Sequence, residues 1–131
     1  MDYFSSESLD SLNKIYRINL INSITGYKSA NLLGSVSNKG IENVAVFSSI
    51  THLGSNPALL SFFVRPNVVP RNTYKNIKEK KVFTVNHIVK EKIEDAHHTS
   101  AKYDEDISEF DKTNLQSEYQ LCILLSGLVV V

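Results

Sequence analysis

Apolar and polar positions change their spacing several times along the chain, and each change marks a new element. Near the start, Leu9, Leu12, Ile15 and Tyr16 recur at helical spacing and share one face. Ser5 or Ser6 can accept the first free amides, and Glu7 and Asp10 suit the positive end of the helix dipole. One continuous helix is expected there. Around Gly26 the texture turns to that of strands. Residues 30–36 and 43–50, joined by the turn letters Ser37-Asn38-Lys39-Gly40, read as a hairpin.

The next break is Gly54-Ser55-Asn56-Pro57, where Pro57 holds Asn56 extended or turned and re-aims the chain. Residues 58–64 form a dense apolar run of strand length, closed by Arg65-Pro66, and two prolines stiffen the loop 66–70. A short helix is expected over 71–80, with Tyr74 and Ile77 three residues apart and lysines on the outer face. Residues 82–88 alternate as a strand, 90–103 suit a helix, and 104–114 form a polar loop. The closing run LCILLSGLVVV carries no charge; it reads either as a buried strand pair or as an anomalous tail. Strands interrupted by short helices make this a β-rich α+β domain.

Composition narrows the class. A length of 131 residues suits one domain, and 42% hydrophobic with 21% charged residues is an ordinary globular balance. The single cysteine, Cys122, excludes an internal disulfide and any paired-cysteine motif, which fits a reducing cytoplasm. Fourteen basic and fourteen acidic residues cancel, arguing against broad attraction to nucleic acid or an anionic membrane. The acidic N-terminus is no signal peptide, and the terminal apolar run is far short of the ~20 residues that cross a bilayer. A soluble cytoplasmic protein, binding neither nucleic acid nor membrane, is expected.

Three constellations could carry chemistry. In the first, the strand ending at Phe47 gives way to Ser48, Ser49, Thr51 and His52. Small polar residues at a strand end let backbone groups and hydroxyls orient a flat heteroaromatic ligand. A strand running into a solvated loop accounts for the same letters. In the second, Arg65 precedes Arg71-Asn72-Thr73 at the start of a helix, where free amides and the positive dipole end suit a phosphate. A helix capped by Asn72, with both arginines solvated, fits equally well.

The third is Asp95 to Tyr103, with His97 and His98 adjacent. Adjacent histidines on a helix diverge by about 100° and make no chelating pair. No metal site is expected. No nucleophile elbow, dinucleotide fingerprint or P-loop occurs, so no catalytic side chain is assigned.

The blocks GYKSANLLGS, NVAVFSSITHLGSNPALLSFFVRP, VPRNTYKNI, FTVNHI and AHHTSAKYDEDISEFDK, in this order, resemble the flavin reductase-like family. More narrowly, they are similar to its bacterial flavoprotein branch, related to the reductase components of two-component monooxygenases. The resemblance implies an FMN-binding split β-barrel, a homodimer with flavin near the subunit interface, and a possible partner monooxygenase. It implies that Phe47, Ser48 and Ser49 lie beside the isoalloxazine ring, while Arg65, Arg71, Asn72 and Thr73 serve the ribityl phosphate. His98 and Ser100 are carried over as residues near the flavin and the nicotinamide approach.

The activity so implied is hydride transfer from NADH or NADPH to the flavin. A flavin-binding electron carrier and an inactive remnant are the alternatives. Residues 1–131 form one domain, of which about 1–115 are family-like. The tail 116–131 departs from the family pattern, and a barrel lacking its last strands would have an open edge.

Overall fold

The computed structural model describes residues 4–65 and 71–119. The stiff loop expected at 66–70 and the strand pair expected in the terminal run lie outside the described residues. At the N-terminus stand two helices, α1 (Ser6–Ser11) and α2 (Lys14–Ser23), rather than the single one expected. The serines explain the break. Ser8 and Ser11 donate their hydroxyls to the carbonyls of Ser5 and Ser8, competing with helix continuation. Asn13 then caps a new helix by accepting from the amides of Ile15 and Tyr16.

Strands β1 (Asn31–Val36) and β2 (Glu42–Phe47) form the expected antiparallel hairpin, with Leu33 opposite Ala45. Gly40 closes its turn at φ +80°, a conformation that costs glycine no steric penalty. Strand β5 (Thr84–His87) pairs antiparallel with the other edge of β1, giving the order β2-β1-β5. That approach is close: a Cβ on Gly34 would stand 2.7 Å from Thr84 Oγ1.

Two further strands, β3 (Thr51–Ser55) and β4 (Ala58–Ser61), make a separate hairpin. Residues 54–57 are expected only as a re-aiming break, and β3 is not apparent from the apolar spacing. The structure shows a two-residue turn there, Asn56-Pro57, between paired strands. The second strand also ends at Phe47, three residues earlier than the 43–50 expected.

Helix α3 (Asn72–Lys80) carries Arg71 at its N-cap, without a side-chain capping bond. Its buried residues are Thr73, Asn76 and Ile77, so Tyr74 is exposed and two polar side chains take the inward positions. The helix expected over 90–103 is shorter. A 3-10 turn at Lys90–Lys92 leads into α4 (Ile93–His98), which ends where Thr99 and Ser100 turn their hydroxyls back onto the carbonyls of Ala96 and His97. A second 3-10 turn, Glu109–Lys112, interrupts the polar loop and is capped by Ser108.

The three-stranded sheet is buried on both sides. Leu33 packs with Phe62 and Ile77 on one face, and Phe47, Ile50, Val64 and Phe83 adjoin them. Leu32, Val44 and Ala96 form the opposite cluster, joined by Val46, Ile88, Phe110 and Leu115. Consecutive strand residues point to opposite faces, and with both faces covered Leu32 and Leu33 serve different cores. Helix α3 therefore covers one face while α4 and the second 3-10 turn cover the other.

Candidate functional site

The cross-strand register places Asn31, Phe47 and His87 in one row at one end of the sheet. Asn43 and Ser35 form a row nearer the other end, on the face that α3 covers. Asn43 Nδ2 donates to Thr73 Oγ1 at 3.0 Å, and Asn76 Nδ2 donates to Ser35 Oγ at 3.2 Å. The N-terminal turn of α3 is thereby pinned over Asn43, four residues before Phe47. At about 3.3 Å per strand residue, the two ends of this face lie about 13 Å apart. Among the described residues, the Thr73 O–H itself has no acceptor.

Sequence reasoning missed Asn43, Asn76 and Ser35. A signal was present, because Asn43 and Ser35 alternate in phase with the inward Ala45 and Leu33. An amide on the core side of a strand needs a buried partner.

At the other end stand Phe47, Ser48 and Ser49, where the resemblance expects the flavin ring. Phe47 packs its ring edge-on against Phe62 at 5.6 Å, and Phe62 against Phe83 at 5.3 Å. Ser48 is exposed. Ser49 Oγ accepts from the amide of Phe63 at 3.0 Å and donates to its carbonyl at 3.2 Å. Residues 48–50 belong to neither sheet, so their backbone groups stand at the junction of β2 and the β3–β4 hairpin.

At the end where the resemblance expects a phosphate, Arg71 Nε is buried with no hydrogen-bond partner among the described residues. A buried guanidinium nitrogen without a partner is costly, and an anion is the ligand that would satisfy it. Thr73 stands two residues along, and Arg65 is exposed. Asn72 lines a cleft of about 300 Å³ between the hairpin turn, α3 and residues 105–107. Glu42, Glu79, Glu105 and Asp106 outnumber Lys39 and Lys75 on its walls, a balance that disfavours a phosphate. Lys75 is paired with Glu105, which raises the lysine and lowers the carboxyl from their ordinary pKa values.

His98 and Ser100 are not brought to this group. Both are exposed on the segment that covers the opposite face, and the Ser100 hydroxyl is bonded to the His97 carbonyl. Among the described residues, no cluster of metal-ligating side chains occurs, and no helix is long and apolar enough to cross a membrane.

The model of the flavin reductase like domain matches residues 26–131, a span that includes the tail. A protein assigned as a flavin reductase with a split barrel domain, from Shewanella frigidimarina NCIMB 400, is similar at 41% identity and a TM-score of 0.85; the match covers 92% of this chain and 60% of that one. Nitrilotriacetate monooxygenase component B from Bacillus cereus is similar at 20% identity and TM-score 0.70, over 90% of this chain and 59% of that one. Pseudomonas fluorescens 2-nitrobenzoate 2-nitroreductase follows at 23% and 0.67, over 85% and 51%. The chain thus spans between half and three-fifths of these proteins. No curated protein matches it.

Proposed function

The chain belongs to the flavin reductase like domain family, and from that premise we propose that it binds FMN and passes a hydride to it from NADH or NADPH. Its fold is the split barrel of flavin reductases. The observation that carries the reading is Arg71 Nε at the start of α3, buried without a hydrogen-bond partner among the described residues, beside the sheet face that ends in Phe47. Asn43, under the first turn of the helix that Arg71 caps, and Phe47, beside the 48–50 loop, lie about 13 Å apart along β2, a span that suits one elongated ligand with an anionic terminus.

Bound FMN would supply the hydride-accepting chemistry; the protein supplies binding, orientation and exclusion of water. Arg71 would donate charge-assisted bonds to the phosphate, Thr73 would add its hydroxyl, and Arg65 would reach the same end from the exposed loop. Ser48 and its neighbouring backbone would hold the polar edge of the ring, while the packed Phe47 ring forms the apolar floor. No side chain need act as acid or base in a hydride step, in keeping with the absence of a catalytic constellation in the sequence. His98 and Ser100 would meet this site only around the end of the sheet or from a second copy, the homodimer that the resemblance implies. A partner monooxygenase would use the reduced flavin.

The test is the visible spectrum of the protein after FMN addition and desalting, followed by anaerobic NADH or NADPH. Retained yellow colour that bleaches supports the reading. Retained colour that no nicotinamide bleaches makes it a flavin-binding electron carrier. Failure to bind FMN under any condition overturns it.

A further inference from the structure

We infer that Ser49 is a positioning residue that couples the ring end of the flavin site to its phosphate end through Phe63. The inference rests on the function proposed above. The resemblance placed the Ser49 side chain beside the flavin ring, but its hydroxyl is already committed. A serine has one O–H to give, and this one goes to the Phe63 carbonyl at 3.2 Å, while the Phe63 amide returns a bond of 3.0 Å to the same oxygen. Flavin carbonyl oxygens need donors, and Ser49 has none left to offer them.

The pair reproduces the two-way exchange of a hydrogen-bonded antiparallel pair, with a side chain replacing one backbone. That substitution has a consequence. The strand end is tied down without using the backbone N–H and C=O of residues 48–50, which have no hydrogen-bond partner among the described residues and can face a ligand. One residue before Ser49 on one side and Phe63 on the other, exposed Ser48 and buried Phe62 continue the junction, and the Phe47–Phe62 ring contact at 5.6 Å ties the same two segments again. Residues 50–62 are thus closed into a loop holding the β3–β4 hairpin, a sheet of its own.

Arg65 stands two residues beyond Phe63. In extended chain two residues span about 7 Å, so the direction in which Arg65 leaves the junction is set by the Phe63 backbone. One hydroxyl therefore fixes Ser48, at the ring end, and aims Arg65, at the phosphate end. The role is indirect at both.

The experiment compares FMN and riboflavin binding, by quenching of flavin fluorescence, in the wild-type protein, S49A and S49T. S49A is expected to lower the preference for FMN over riboflavin by about tenfold, the equivalent of ~1.4 kcal/mol, because Arg65 is no longer aimed. S49T restores the hydroxyl and should restore the preference. The absorption band of flavin-saturated S49A should match wild type, since no ring contact is lost, and the Phe63 amide should exchange faster with solvent. If S49A is insoluble, S49C takes its place, its thiol being a weak donor. Equal weakening of both flavins with a shifted absorption band would make Ser49 a direct ring contact and overturn the inference. So would an unchanged preference. Wild-type protein that binds neither flavin overturns the proposed function and this coupling with it; a wrong assignment of Ser49 alone leaves wild-type binding intact.

Discussion

Glu109 Oε2 accepts a hydrogen bond of 3.1 Å from the backbone amide of Val44, joining residues 65 apart in the chain. Val44 belongs to β2, whose one described partner is β1, and the carboxylate takes the place that a neighbouring strand's carbonyl would occupy. Both residues are buried. The second 3-10 turn thereby seals an edge that would otherwise expose an unpaired amide.

Burial pushes the Glu109 carboxyl above its ordinary pKa, and the bonds from its own backbone amide and from Val44 only partly oppose that. The raised value means that the folded state favours the protonated acid. Its contribution to stability is full below the unfolded value, about 4.3, and is lost as pH rises through the folded value. E109Q keeps an acceptor for Val44 without a charge. Urea midpoints should therefore fall for the wild type relative to E109Q as pH climbs from about 4, whereas parallel curves would contradict the burial effect. E109A should cost about 1–3 kcal/mol in acid, because the Val44 amide is left unsatisfied, and less as the pH rises and the wild-type carboxyl ionises.

Asp95 should behave with the opposite sign. Its carboxylate accepts from the Asn114 amide at 3.0 Å, from the Asn114 side chain, and from Lys92. The Asn114 backbone bond is the chief cause holding its pKa below the usual range. A depressed value makes the contribution present above the unfolded pKa and lost as pH falls through the folded one. Amide exchange at Asn114 should accelerate in acid, and D95A should show the fast rate already at neutral pH. D95A exchange equal to wild type would remove the clamp.

The ring chain Phe47–Phe62–Phe83 sets a packing prediction. Phe62 is buried between two edge-on neighbours, so F62A should cost about 3–5 kcal/mol through lost burial and the cavity left behind. F62L, which keeps most of the volume, should cost much less. Thermal unfolding of the two variants checks the difference, and similar losses would mean that the site repacks freely.

For the ligand, R71A should weaken FMN roughly ten- to a hundredfold, the effect of a charge-assisted bond worth about 1.5–3 kcal/mol. Riboflavin, lacking the phosphate, should scarcely change. Titration of both flavins separates the outcomes, and equal loss for the two would take the phosphate away from Arg71.

Local chemistry made much of this fold legible in the sequence. The β1–β2 hairpin follows from two alternating runs around Ser37–Gly40, the start of α1 from Ser5, and the extent of α3 from a ten-residue pattern. These depend on partners a few residues apart. The breaks at Leu12 and after His98 were missed because serine and threonine hydroxyls displaced helix bonds, a competition that apolar spacing does not register. What tertiary structure alone decided lies at long range. Leu32 and Leu33 enter separate cores only because α3 and α4 settle on opposite faces. β1 is central only because β5, some fifty residues later, takes its free edge. That Asn43 needs a buried partner is legible in its strand, but only the fold names Thr73 as that partner, and only the fold sets Phe63 beside Ser49. Loop closure costs rise only slowly with length, so a polar side chain has many affordable distant partners, and burial of the whole sheet selects among them.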